Sequence, residues 1–307
     1  MSSSPDIAEV GLAQADRAGI QLEEPSGLWR DAWGRLRHNK GAIVGAVIVL
    51  VFVLTAIFAP LIAPYGPIER VGSLSSVPPG PTSEFWFGLD EQGRDLFSRV
   101  IYGARLSLLV SIVSVTVGLS IGMLLGSIAG YKGGRIDGLI MRCMDIMLAF
   151  PGFLLAIGMV AVLGPGLIQV MIAIGIISVP QFARLLRGSI IQQRESDYVL
   201  AARSLGTPGP RTLIVHILPN ALAPVIVQAT LSLATAIIEV AGLSFVGFGP
   251  QDPFLPEWGK MLADNAARLQ RSSHLVLFPG FAIVLSVLGL NLIGDGLRES
   301  LDPKLRR

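Results

Sequence analysis

Six stretches of the chain run apolar for long enough to cross about 30 Å of hydrocarbon, a distance that takes roughly twenty helical residues. The first, about 42–63, follows Lys40 and reads AIVGAVIVLVFVLTAIFAPLIA without a charge. The second, about 106–130, lies between Arg105 and the pair Tyr131-Lys132. A third, about 139–163, carries Arg142 and Asp145 near its start. The fourth runs from 167 to about 183, the fifth from about 221 to 246, and the sixth from about 275 to 294. The pattern predicts an all-α membrane protein with six transmembrane helices. The first run is too long and begins too far into the chain for a signal-peptide core, so it is read as a retained anchor.

The stretches between the spans are polar and follow their own rules. Residues 1–28 carry scattered charge and no periodicity, which predicts disorder. Segment 64–89 is punctuated by Pro64, Pro67, Pro78, Pro79 and Pro81 and reads as an extended surface loop. In 90–104, DEQGRDLFSRVIYGA, the residues Leu96, Val100 and Ile101 share a helical face, which predicts a short helix lying in the outer interface. Segment 247–274 forms a second outer loop, with Trp258 expected to anchor it at the membrane surface.

Basic residues give the orientation. Arg30, Arg35, Arg37 and Lys40 precede span one, and Lys132 with Arg135 link spans two and three. Arg184, Arg187, Arg194, Arg203 and Arg211 lie around the link between spans four and five, and Arg298, Lys304, Arg306 and Arg307 close the chain. With six spans all four segments fall on one side, and cytoplasmic segments are the ones enriched in Lys and Arg. Both termini are therefore expected in the cytoplasm.

Composition agrees with this reading and excludes others. Half of the 307 residues, 51%, are hydrophobic and only 15% are charged, against about a quarter charged in a soluble domain. A net charge of +2 is too small to argue for nucleic acid. The single cysteine, Cys143, excludes an internal disulfide, and His38, His216 and His274 lack metal-ligand spacing. A phosphate-binding loop needs Gly-Lys followed by Ser or Thr. The four lysines are followed by Gly41, Gly133, Met261 and Leu305, so the chain has no such loop.

Two features inside the spans stand out. Gly118, Gly122, Gly126 and Gly130 recur every four residues, which leaves one face of span two without side chains and suited to close packing against another helix. Ionisable residues inside a span are costly and face a cavity or a partner. Glu239, deep in span five, is thus a candidate for the translocation pathway or for a structural helix interface. Arg142 and Asp145 stand three apart and are expected to pair with each other on one helix face. Asp295, between Gly294 and Gly296, is expected at a loop or helix cap.

The link 188–220 is unusually long and has an internal grammar. Ser196 or Asp197 is placed to cap a helix through Tyr198–Leu205. Gly206 suits the left-handed residue that ends it, and Pro208 and Pro210 prevent its continuation. A second helical stretch, Arg211–Leu218, leads to Pro219. Ala201, Ala202 and Leu205 give the first helix a small apolar side able to seat in a groove of another protein.

This loop resembles the signature of binding-protein-dependent ABC importer permeases: Glu-Ala-Ala, three residues, Gly, nine residues, Ile, one residue, Leu-Pro. Ala201, Ala202, Gly206, Leu218 and Pro219 match at that spacing, while Leu200 stands in place of the Glu and His216 in place of the Ile. The version 216–220, His-Ile-Leu-Pro-Asn, is similar to the peptide-transporter branch. From about residue 29 onward the segments 85–110, MRCMDIMLAFPGFLLAI (141–157), LSFVGFG (243–249) and NLIGDGLRESLDPKLR (291–306) resemble dipeptide and oligopeptide permeases of the second-subunit type.

The resemblance implies a type I ABC importer permease in a bacterial inner membrane. One N-terminal helix, an outer loop and an interfacial helix (29–104) would precede a five-helix core (105–298) and a cytoplasmic tail (299–307). It further implies a related second permease, two cytoplasmic ATPase subunits and an external solute-binding protein. ATP and Mg would be bound by the partners, with no cofactor and no catalytic site on this chain. Coupling to the ATPase would fall to Ala201, Ala202, Arg203, Leu205, Gly206, Leu218 and Pro219. Di- or oligopeptides are the leading substrates, with glutathione and nickel complexes behind them. An ion-coupled secondary transporter is the alternative; it calls for inverted repeats, which the sequence does not display. An intramembrane enzyme would need a nucleophile–base set inside the spans, and Cys143 has no histidine near it.

Overall fold

The computed structural model describes residues 28–74 and 78–301 of the chain. The segment expected to be disordered lies outside these residues apart from Leu28, as do Lys304, Arg306 and Arg307 of the tail. Ten helices of eight or more residues form the described part: α1 (Leu28–Leu36), α2 (Lys40–Ile57), α3 (Leu96–Lys132), α4 (Gly134–Leu148), α5 (Gly152–Leu163), α6 (Leu167–Arg194), α7 (Asp197–Ser204), α8 (Ala223–Phe245), α9 (Trp258–Asn265) and α10 (His274–Leu301). Helices α2, α3, α6, α8 and α10 are each long and apolar enough to cross a membrane, and α4 with α5 makes a bent sixth candidate.

Several starts follow from side-chain caps, which satisfy N–H groups that the helix itself leaves free. Asn39 accepts from the Ala42 N–H at the head of α2, and Asp95 accepts from the Ser98 N–H at the head of α3. The second cap changes the expected layout. No separate interfacial helix covers 90–104: the chain turns through 90–95 and α3 then runs unbroken from Leu96 for 37 residues, about 55 Å. No proline interrupts it, so the outer segment and span two become one rod.

The third span is also corrected. Instead of one helix over 139–163, α4 and α5 meet at a bend of 89°. Pro151 supplies the cause, because it has no N–H to donate and disfavours helical geometry at Phe150. The Ala149 N–H closes α4 on the Asp145 carbonyl, and Pro151 opens α5. At twelve residues, about 18 Å, α5 is too short to cross alone. Span six is longer than expected, and Asp295 lies exposed within α10 rather than at a cap.

Close backbone approach organises the bundle. An added Cβ at Gly122 would lie 2.6 Å from Phe182 Cβ, and one at Gly126 would lie 2.5 Å from the Ala183 carbonyl oxygen. At Gly118 it would overlap Ser178 of α6, and at Gly130 it would press on Ile190. The glycine face of α3 is thus filled by α6 of the same chain. Helices α2 and α10 meet through Gly45 and Gly289 in the same way.

Trp258 is not a surface anchor. Its side chain is fully buried, its indole N–H donates to the Val100 carbonyl at 3.0 Å, and its ring meets Phe52 edge-on. Gly103 makes the room, since a Cβ there would sit 2.6 Å from the indole. Glu257 beside it caps α9 through the Gly259 and Lys260 N–H groups. Burial pushes its carboxyl up, and those two N–H bonds pull the other way. Trp258→Ala should destabilise the protein by about 3–5 kcal/mol through the lost burial and the cavity left behind. Thermal unfolding in detergent measures this.

The bundle has two distinct ends. At one, the Gly166 N–H donates to the Phe248 carbonyl, and the loop before α3 is fastened by the Asp90–Arg94 pair at 2.7 Å with Arg99 beside it. At the other, Asn39 donates to Glu299 at 2.6 Å, bringing the base of α2 to the last turn of α10. Arg35, Arg37, Lys40, Arg203, Arg211 and Arg298 lie at this second, basic end.

Candidate docking site at the basic end

The loop between α6 and α8 builds a small platform at the basic end. Ser196 sits at the start of α7 in extended conformation, but neither it nor Asp197 caps the helix with its side chain; the Ser196 hydroxyl donates back to the Gln193 carbonyl at 2.6 Å. At the other terminus the sequence signal is fully expressed. Gly206 adopts φ +79°, its N–H donates to the Arg203 carbonyl at 2.9 Å, and the Thr207 N–H donates to the Ala202 carbonyl at 3.1 Å. This pair of bonds is the Schellman closure that a left-handed glycine permits.

The second stretch differs from the expected helix over Arg211–Leu218. A short turn at Gly209–Arg211 opens into a π-helical segment, Thr212–Ile217, and then a further α-turn, Leu218–Ala221. Pro219 lacks an N–H and its ring crowds the carbonyl four residues earlier. The wider π turn relieves this, with the Leu218 N–H reaching back to Leu213. Asn220 then donates its side-chain amide to the His216 carbonyl at 3.0 Å.

The two faces of α7 do different things. Val199 is fully buried and belongs to the main apolar cluster with Ile190, Ile217 and Ala221, and Ala202 is buried as well. Ala202 is therefore part of the seat and not of the outward side, which corrects the expectation from spacing. The outward side carries Tyr198, Leu200, Ala201 and Leu205, and Leu205 is 88% exposed. Ile214 and Val215 on the next segment are exposed too. Leu200, standing where the loop signature has Glu, adds apolar surface in place of a charge. Arg203 is exposed and makes no ion pair among the described residues.

Three contacts that sequence reasoning missed tie this platform to the long helices. Arg194, on the last turn of α6, donates to the Gly130 and Tyr131 carbonyls at the end of α3. Gly209 packs closely on the Tyr131 hydroxyl, which would have to move aside for a Cβ at that position. The Tyr198 hydroxyl donates to Gln193 at 2.7 Å and accepts from Asn220 at 3.3 Å. A load on α7 thus reaches α6 directly through Tyr198 and Gln193, and α3 through Arg194 and Gly209.

The other residues singled out lie elsewhere. Asp145 pairs with Arg184 of α6 at 2.6 Å, not with Arg142, which is exposed and has no ion-pair partner among the described residues. Asp137 makes two bonds to Arg187, so α4 is strapped to α6. The exposed Asp145–Arg184 pair is worth at most about 1 kcal/mol. Glu239 is half-buried in α8, six residues from the end opposite the basic one, and has no hydrogen-bond or ion-pair partner among the described residues.

Comparison with known proteins places this architecture in context. The family model described as "Binding-protein-dependent transport system inner membrane component" matches residues 122–307, and that of the "N-terminal TM domain of oligopeptide transport permease C" matches 27–79. The chain is 53% identical to a dipeptide transport system permease protein DppC of Alkalihalophilus pseudofirmus, covering 91% of this chain and 90% of that one. It is 49% identical to a di/tripeptide transport system permease protein DppC of Pseudomonas aeruginosa, covering 96% and 98%. A glutathione transport system permease protein GsiD of Escherichia coli is 45% identical over 91% of each chain. Among solved structures, an inward-facing MetNI methionine ABC transporter matches with a TM-score of 0.55 at 18% identity, over 66% of this chain and 96% of that one. An amino acid ABC transporter matches with a TM-score of 0.52 at 17% identity, over 66% and 94%. These two share the fold.

Proposed function

The chain belongs to the family of binding-protein-dependent transport system inner membrane components, and on that premise we propose that it is one of two related permease subunits of a peptide importer driven by ATP hydrolysis in partner subunits. Its names among relatives point to di- and tripeptides first, with glutathione as the neighbouring substrate. An external binding protein delivers the solute, and the basic end faces the cytoplasm, as excess Lys and Arg favour.

One observation carries the coupling role. Helix α7 presents an apolar knob at Leu205 while Val199 and Ala202 build its other side into the core. A surface that is free outside and rigidly seated inside suits a joint onto a motor. Closure of two ATPases around ATP would draw the α7 helices of the paired permeases together and favour an outward-open bundle; hydrolysis would release it. Driving such an equilibrium from about 1:99 to 99:1 takes about 5.5 kcal/mol of differential binding. The docking contact must therefore bear load, and Arg194, Tyr131 and Asn220 supply the path by which it reaches the spans.

Purification of the native complex tests the assignment. Two nucleotide hydrolases should co-purify, and vesicles containing the complex with its binding protein should take up a labelled dipeptide only with ATP. Uptake driven by an ion gradient in an isolated homo-oligomer would contradict it.

A further inference from the structure

Helix α8 carries a polar stripe that the coupling role does not use. Gln228, Ser232, Thr235 and Glu239 recur at spacings of four, three and four, which places them within about 60° of arc on one side of the helix. Gln228 donates to Ser232 at 3.2 Å, and Thr235 is exposed and bonds its own helix at Leu231. Gly242 continues the stripe toward the outer end, where the ring of Phe153 on α5 lies over it, 3.1 Å from the position of an added Cβ. The bend before Pro151 therefore brings α5 to the mouth of this stripe.

Glu239 is the only acidic residue in the long apolar helices away from the basic end. No cation of this chain answers it among the described residues. The cations toward that end are committed elsewhere: Arg105 donates to the Ala56 and Ile57 carbonyls, Arg99 to the Pro67 carbonyl and toward Asp90, and Lys260 of α9 pairs with Asp264 at 3.2 Å. A half-buried carboxylate facing lipid is costly, and such residues mark solute paths. One cation on a neighbouring subunit would answer Glu239 alone, whereas a wetted path also reaches the exposed Thr235 one turn away; Ser232, deeper along the stripe, is buried and held by Gln228.

We propose that this side of α8 lines the translocation path and that Glu239 receives the free ammonium group of the passing peptide, the one cationic group common to neutral di- and tripeptides and glutathione. The charge is placed about 9 Å inside the outer end of α8, so it meets the solute early and draws the amino terminus in. This rests on the importer assignment above and adds the substrate group that the pathway recognises.

The test uses the full complex in proteoliposomes with its binding protein and a radiolabelled neutral dipeptide. Glu239→Gln should lower uptake at least tenfold while ATP hydrolysis stimulated by peptide-loaded binding protein stays within twofold of wild type. Glu239→Asp, which keeps the charge, should recover most of the uptake. In a Cys143→Ser background, Glu239→Cys should react with a membrane-impermeant cationic thiol reagent added outside, and the transported dipeptide should slow that reaction. Uptake by Glu239→Gln within twofold of wild type would overturn the proposal, as would joint loss of assembly and hydrolysis in both Gln and Asp variants. ATP-dependent uptake by the wild type in the same vesicles is read separately, so failure of the importer assignment is distinguishable from failure at Glu239.

Discussion

Leu205→Asp is expected to reduce ATP-driven uptake at least tenfold while leaving membrane abundance unchanged. Leu205 is 88% exposed and sits at the end of α7, so the isolated chain loses almost no packing when it is replaced. A docked Leu contributes about 1.5–3 kcal/mol of burial, and a carboxylate in its place must also be desolvated, which raises the cost further. Against a requirement of about 5.5 kcal/mol for the conformational shift, that loss is enough to disconnect motor from channel. Gly206→Pro should act similarly by another route, because proline cannot adopt φ +79° and removes the N–H that closes the helix on Arg203. Ala202→Asp is a different experiment. Ala202 is buried, so that variant should also lose folded protein. Uptake at matched abundance, beside a membrane blot, separates the two classes.

Gly126→Leu is expected to cost folded protein rather than coupling. A Cβ at 126 already falls 2.5 Å from the Ala183 carbonyl oxygen and 3.1 Å from its Cα, so the obstacle is backbone and cannot rotate away. Overpacking of this kind costs about 1–3 kcal/mol and more when the backbone must shift. Since α3 and α6 form the centre of the bundle and support α7, abundance should fall several-fold and the unfolding temperature should drop. Gly138→Ala on α4 is the matched control: nothing lies within 4 Å of its added Cβ, and helix propensity alone favours the change. A Gly138→Ala variant as damaged as Gly126→Leu would show that glycine content, rather than the α3–α6 contact, matters.

Much of the fold was legible because hydrophobic length and glycine chemistry are local signals. The uncharged runs around 42–63 and 106–130 needed only counting, and Gly206 announced its left-handed turn through the prolines that follow. The misses share a different character. Hydropathy treats 139–163 as one span because it cannot weigh what Pro151 does to direction, and it divides 90–104 from span two because charges near Asp95 resemble an interface. The bend, the rod of α3 and the burial of Trp258 depend on partners far away in sequence: Gly103 makes the pocket for the indole, and Arg184 draws Asp145 away from Arg142. For α7, spacing identified an apolar side but not which apolar residues face inward. Val199, a β-branched residue between a tyrosine and a leucine, carried the only hint, and the Tyr198–Asn220 contact spans 22 positions with no pattern to reveal it.

The proposed importer depends on α7 being a joint to a motor on the inner face of the membrane. In a Cys143→Ser background, a Leu205→Cys variant of the intact complex should resist an impermeant thiol reagent applied to whole cells. Once the inner face is opened, a short bifunctional reagent should cross-link it to a nucleotide hydrolase. Labelling from outside, or cross-links that reach no hydrolase under conditions that support uptake, would contradict the account.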